Sequence, residues 1–177
     1  QIAASYGGFN NIVFKGNTYK VNKIKCKKSF QDNLNKKLFL LYTGKSRTAE
    51  KITKSYTNKL KNIKKQNIYK ILNFVSEAKK IIKNNNTDDF GYLLNETWYQ
   101  KRELSKIVSN NKIDDLYIKG KNNGALGGKL LGAGGGGFVL FYVPKDNQKH
   151  FLKKMKSRLL FPVNFTSSGS QIVYTDE

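Results

Sequence analysis

Apolar and polar residues alternate at the start of the chain. Ile12 and Phe14 on one side of Gly16-Asn17, and Tyr19 and Val21 on the other, predict a hairpin of two strands over 9–14 and 18–26. An unbroken apolar run, Leu38-Phe39-Leu40-Leu41-Tyr42, predicts a buried strand within 37–43 that Gly44 ends. The period then changes. Ile52, Tyr56, Leu60 and Ile63 recur at helical spacing in a helix that begins near Ser46, with lysines on its other face. Ile68, Ile71, Leu72, Val75, Ala78 and Ile82 continue as a helix up to Asn84-Asn85-Asn86. Thr87 is a suitable N-cap for the next helix, and Asp88 and Asp89 suit its positive end. That helix carries Phe90, Leu93, Leu94, Trp98, Leu104, Ile107 and Val108. A short helix over 113–118 follows, with Gly120 after it. A buried strand over 138–143 stops at Pro144, a helix spans 146–158, and two strands are expected at 161–165 and 170–174. Strands, helices, strand, helix, strands is an α+β order, with helices packed on one face of an antiparallel sheet. The pattern contains no internal repeat and no linker.

Between the helices and the strand at 138–143 lies Gly127-Gly128-Lys129-Leu130-Leu131-Gly132-Ala133-Gly134-Gly135-Gly136-Gly137. Ordering so many glycines costs backbone entropy. A chain keeps such a run where bare backbone approaches something closely, and successive N–H groups make an anion-binding concavity. The bland alternative is a packing loop whose glycines let backbones cross. Gly132 to Gly137 fits GxGxxG by letter, but a dinucleotide fingerprint needs a strand before it and a helix after it, and here a strand follows. Gly128-Lys129 is followed by Leu130, so it is not a nucleoside-triphosphate P-loop. Asp89-Phe90-Gly91 mimics a protein-kinase motif, yet the order is reversed and His150 is followed by Phe151, so no catalytic HRD loop exists. Asp89-Phe90-Gly91 reads instead as the first turn of a helix. Thr43-Gly44-Lys45-Ser46-Arg47 is a second small, polar and basic turn, from strand into helix, with Arg47 placed to grip a phosphate. His150 reads as a surface residue, Trp98 as core, and Cys26 as an unactivated thiol.

Composition narrows the picture. At 177 residues the chain is long enough for one domain with a real core. No apolar stretch is long enough to span a membrane, and no signal peptide is visible. One cysteine leaves no internal disulfide and no cysteine metal cluster, which reads as a cytoplasmic protein. A chain opening on Gln1 rather than Met is expected to be a fragment or a processed form. The net charge of +21 raises affinity for any polyanion. Almost all of it is lysine, with only Arg47, Arg102 and Arg158 as arginines, and dedicated nucleic-acid readers lean on arginine. A solvated lysine-rich surface is therefore favoured over a specific nucleic-acid partner.

Taken together, Gln1-Ile2-Ala3-Ala4-Ser5-Tyr6-Gly7-Gly8-Phe9-Asn10, Leu41-Tyr42-Thr43-Gly44-Lys45-Ser46-Arg47, and Asn123-Gly124-Ala125-Leu126-Gly127-Gly128-Lys129 running into Gly132 to Phe138 resemble the GHMP small-molecule kinases. Within them the chain looks most like the D-glycero-D-manno-heptose 7-phosphate kinases, which serve bacterial surface polysaccharides. Glu96-Thr97-Trp98, Lys101, Leu104-Ser105 and Ile113-Asp114 also fit that group. The resemblance implies a C-terminal domain of ferredoxin-like α+β type over 31–177, with 1–30 as the end of the N-terminal domain and its connecting strands. It implies ATP with Mg²⁺, bound mainly by an N-terminal domain whose Pro-x-x-x-Gly-x-x-Ser-Ser-Ala loop this chain lacks. It places the catalytic aspartate immediately before Gln1, so no catalytic residue and no metal ligand is assigned in this chain, and the chain alone is expected to be inactive. The family's third motif falls on Gly132, Ala133, Gly134, Gly135, Gly136 and Gly137, beside substrate and phosphate. Gly7, Gly8, Phe9, Thr43, Ser46, Arg47 and Lys129 are the candidate substrate contacts, with Arg47 for the sugar phosphate. Two other readings stay open: a basic nucleic-acid-binding module, and a non-catalytic interaction domain that keeps the fold.

Overall fold

The computed structural model describes residues 1–44, 49–60 and 65–175. A short helix, α1 (Ile2–Tyr6), leads into the expected hairpin of β1 (Asn10–Lys15) and β2 (Thr18–Lys23). Gly16 turns it at φ 57°, and the Thr18 hydroxyl donates to the Lys15 carbonyl at 2.9 Å. Then come α2 (Lys28–Asn35), β3 (Leu38–Tyr42), α3 (Ala49–Leu60), α4 (Lys65–Asn84), α5 (Thr87–Arg102) and α6 (Asn111–Asn122). The chain closes with β4 (Gly127–Leu130), β5 (Phe138–Tyr142), α7 (Lys145–Met155) and β6 (Leu160–Pro162).

The main sheet has the order β4-β5-β3-β6, antiparallel throughout. By order of appearance that is second, third, first, fourth, the ferredoxin-like arrangement. Helices α3 to α6 fill its first crossover and α7 its second. The α+β architecture expected from the element order is the one observed.

Alternation along β3 and β5 builds two apolar clusters. Phe39 and Leu41, paired with Phe141 and Val139, face Phe151 and Met155 of α7, Ile113 and Tyr117 of α6, and Ile52 of α3. Phe141 packs between Phe151, at 5.5 Å, and Tyr117, at 5.9 Å. Leu38 and Tyr142 turn the other way, to Phe30 and Leu34 of α2, Ile82 of α4 and Leu94 of α5. Helices cover one face as expected, and the second face is covered as well. The unbroken apolar run of β3 requires both, because a strand buried on two sides does not alternate.

Some boundaries differ from the pattern. The N-cap of α5 is Asn86, whose side chain accepts from the amides of Asp88 and Asp89 at 3.1 and 3.5 Å. Thr87 is buried, and its hydroxyl accepts from Lys37 Nζ at 3.2 Å. Helix α5 stops at Arg102; Leu104 and Val108 reach the core from turns that lead to the Asn110 cap of α6. Helix α6 is longer than the predicted 113–118, and α7 ends earlier than 158. Helices α1 and α2 were not predicted. No strand forms at 170–174, where Ile172 and Val173 are 83% and 95% exposed and have no neighbouring strand. The predicted strand at 161–165 shrinks to the three residues of β6. Beyond it Phe165 N donates to Asn35 Oδ1 at 3.0 Å and Thr166 O accepts from Gly8 N at 2.8 Å. The helix start near Ser46, and Ile63, lie outside the described residues.

Candidate functional site

The first half of the glycine run is not a loop. Residues 127–130 form edge strand β4, and the connection to β5 begins at Leu131. Gly132, Gly134, Gly135 and Gly137 all have positive φ, which side chains resist. The loop is held from two sides. Gly135 N donates to Val108 O at 2.8 Å, between α5 and α6. At the other end, the Thr43 amide and hydroxyl both donate to Gly137 O at 2.9 Å. Gly134 lies so close to Val108 that a Cβ on it would stand 2.8 Å from the Val108 oxygen. Packing therefore explains Gly134, whereas Gly132 and Gly137 have open space around them.

Lys101, in the last turn of α5, reaches beneath this loop. Its ammonium donates to Leu130 O at 3.3 Å and to Gly132 O. Lys129 stands on β4 next to Leu130, opposite Leu140. Both lysines line a cavity of about 660 Å³, with Phe9 and Gly132 beside them and Phe74 of α4 and Phe90 of α5 on its walls. Lys79 is the third cation on its lining, and no carboxylate lines it. Burial lowers the pKa of both inner lysines. For Lys101 the value falls to about 8, from desolvation first and then the charge of Lys129.

Phe9, Lys129 and Gly132 thus meet at one cavity. Gly7 and Gly8 precede Phe9 with φ 60° and 72°, and Gly7 lies against the backbone of Ser168 and Gly169. The Phe9 ring sits 4.8 Å from that of Phe165. Ala133 packs against the core cluster. Thr43 holds the far end of the loop and borders a different cleft, with Lys112, Lys119 and Arg158. Ser46 and Arg47 lie outside the described residues. The sequence gives Lys101 no role beyond its place in the resemblance. Its signal was available: it falls at helical spacing between Leu94 and Leu104, a lone cation on an apolar stripe.

Elsewhere, Trp98 is fully buried, His150 meets Asn123 Oδ1 at 3.0 Å on the surface, and burial raises the Cys26 thiol. Asp89-Phe90-Gly91 is the first part of α5. Among the described residues no group of three or more His, Cys, Asp or Glu is placed to hold a metal. With no carboxylate on its lining, the cavity offers no fit for Mg²⁺. No described helix is long and apolar enough to cross a membrane.

The family model described as "GHMP kinases C terminal" matches residues 75–159. That span runs from α4 through α7 and contains the whole glycine loop. The chain is 28% identical over 168 residues to the D-glycero-alpha-D-manno-heptose 7-phosphate kinase of Campylobacter jejuni, covering 94% of this chain and 50% of that protein. It is 30% identical over 129 residues to the bifunctional fucokinase/GDP-fucose pyrophosphorylase of Arabidopsis thaliana, covering 71% of this chain and 12% of that protein. The fold superposes on a crystal structure of a D-glycero-D-manno-heptose 1-phosphate kinase from Bacteroides thetaiotaomicron with a TM-score of 0.68, at 20% identity, over 98% of this chain and 48% of that one. This chain therefore spans at most about half the length of these relatives. The chain carries a GHMP kinase C-terminal domain.

Proposed function

We propose that this GHMP kinase C-terminal domain is the acceptor-side part of an ATP-dependent sugar-phosphate kinase, with a heptose 7-phosphate as its acceptor. The observation that carries the reading is the meeting of Phe9, Lys129 and Gly132 at one cavity under the glycine loop, within a chain related to sugar kinases. In this reading residues 1–30 are the end of the N-terminal domain and its connecting strands, and 31–177 the C-terminal domain. ATP and its loop belong to the remainder of the protein, as does the aspartate before Gln1. Mg²⁺ supplies charge neutralisation at the transferring phosphate, and its ligands belong to that remainder too. The localisation proposed is the cytoplasm, and the pathway bacterial surface polysaccharide.

Phosphoryl transfer asks for positioning more than for covalent chemistry. The chain's own residues supply positioning. The Thr43 and Val108 contacts fix the glycine loop at both ends. Phe9, Phe74 and Phe90 wall the cavity with apolar surface that excludes water from the acceptor. Gly7, Gly8 and Phe9 border the sugar, and the turn at Gly132 sets how closely backbone approaches it. The test is ADP release by the full-length protein with ATP, Mg²⁺ and a panel of sugar phosphates. Release that depends on a heptose 7-phosphate supports the reading, and release that no sugar phosphate stimulates refutes it.

A further inference from the structure

We propose that Lys101 and Lys129 together form the binding site for a phosphomonoester, the phosphate the acceptor already carries, on the lining of the 660 Å³ cavity. The identity of the ester rests on the kinase reading; the anion site rests on the geometry alone.

An ammonium has three N–H donors. Lys101 spends two, on Leu130 O and Gly132 O, which fixes the side chain and leaves one for a ligand. The Lys129 ammonium makes no hydrogen bond or ion pair to any described residue, although the side chain is half-buried. A desolvated charge without a partner is costly. Two such charges close together are costlier, and the depressed Lys101 pKa has Lys129 among its causes. Ordinary surface lysines of this chain avoid that situation by standing in water or beside an acid, as Lys28 does with Asp32 and Lys54 with Glu50. The inner pair is only partly exposed and has no acid beside it. A compact dianion meets both needs, because it takes the remaining Lys101 donor and a donor of Lys129 while cancelling the repulsion.

The charge balance favours a monoester over a polyphosphate. Lys79, the third cation on the lining, is exposed, and the two partly buried ammoniums match a charge of about −2, that of a phosphomonoester above its second pKa. A nucleotide polyphosphate brings more charge together with a divalent metal, and the cavity lining has no carboxylate to share that metal. This site replaces Arg47 as the holder of the sugar phosphate.

The probes are inorganic phosphate, glucose 6-phosphate and ADP, titrated at constant ionic strength into the full-length protein with isotope-labelled lysines. The side-chain resonances of Lys101 and Lys129 should move saturably with phosphate and glucose 6-phosphate, and the Lys101 titration midpoint should rise. Exposed Lys153 should drift without saturation. Lys129→Met should weaken phosphate binding about tenfold or more, the worth of a charge-assisted hydrogen bond, and Lys153→Met should leave it unchanged. Circular dichroism checks that the variants fold, and Lys101→Arg, which keeps the charge, should retain more binding than Lys101→Met. Equal, unsaturated shifts at every lysine, or ADP binding more tightly than glucose 6-phosphate through these two lysines, would overturn the proposal. The two readings fail separately. Phosphate bound at the pair with no ADP release from the full-length protein removes the kinase reading and leaves the site. Sugar-dependent ADP release with an unchanged KM for the sugar phosphate in Lys129→Met removes the site and leaves the kinase.

Discussion

Gly127 of β4 and Gly91 of α5 touch so closely that a Cβ built on Gly127 would overlap the Gly91 carbonyl oxygen. A Cβ on Gly91 in turn would stand 2.6 Å from the Tyr142 ring. Helix α5 thereby lies directly on the strand that feeds the glycine loop, and this approach brings Lys101 under Gly132. Gly127→Ala should therefore destabilise the domain by about 2 kcal/mol or more, because backbone on both sides blocks relief of the overpacking. Urea unfolding of the variant measures it.

Within the loop, glycine is required for two different reasons. Gly132→Ala should cost about 1 kcal/mol, the penalty of a left-handed residue, since φ is 67° and nothing lies within 4 Å of the new methyl. Gly134→Ala adds a collision with Val108, 2.8 Å from its oxygen, to a φ of 122°. It should cost clearly more and should loosen the Gly135–Val108 hydrogen bond. Denaturant midpoints rank the two, and amide exchange at Gly135 reads the loosening.

The folded Lys101 ammonium has a pKa of about 8, below the ordinary 10.5. The unfolded chain therefore binds more protons than the folded chain between these values, so this group makes stability rise with pH across that window. Below pH 8 the cost of burying the charge is fully present. Lys101→Met removes the contribution. Relative to that variant, the wild-type protein should gain stability between about pH 8 and 10.5. Melting temperatures of both proteins across that range check it, and parallel curves would refute it.

Asp88 behaves in the opposite sense. Hydrogen bonds from Lys37 Nζ, at 2.8 Å, and then the Tyr142 hydroxyl, at 2.5 Å, hold its pKa below the usual value. Its contribution is present above the unfolded carboxyl pKa and is lost as pH falls through the lowered folded one. Asp88→Asn should flatten the acid limb of the stability curve. Tyr142→Phe should cost about 1 kcal/mol at neutral pH, the net worth of one hydrogen bond. Chemical denaturation at several pH values separates the two.

The strands were legible because their residues carry the signal themselves. Leu38 to Tyr42 and Phe138 to Val143 are apolar without interruption, and Gly16-Asn17 marks its own turn. Strand β4 was hidden because Gly127 and Gly128 resemble loop residues. Their role as a strand comes from the closeness of Gly91 and Phe141, which only the fold supplies. The Asn86 cap was missed in favour of Thr87 because both residue types cap helices, and the buried Lys37 partner decides between them. Phe9, Lys129 and Gly132 were named from the chain, but their meeting is a property of the sheet. Lys101 escaped notice as a site residue because one lysine among so many looks solvated until its helix is laid on β4.

The most direct measurement is ³¹P NMR of the full-length protein with ATP, Mg²⁺ and a heptose 7-phosphate. The expected result is loss of the ATP γ-phosphate signal with growth of ADP and of a second phosphomonoester resonance on the sugar. An unchanged sugar phosphate spectrum, with ATP intact or hydrolysed only to inorganic phosphate, would contradict the assignment of this domain to a sugar-phosphate kinase.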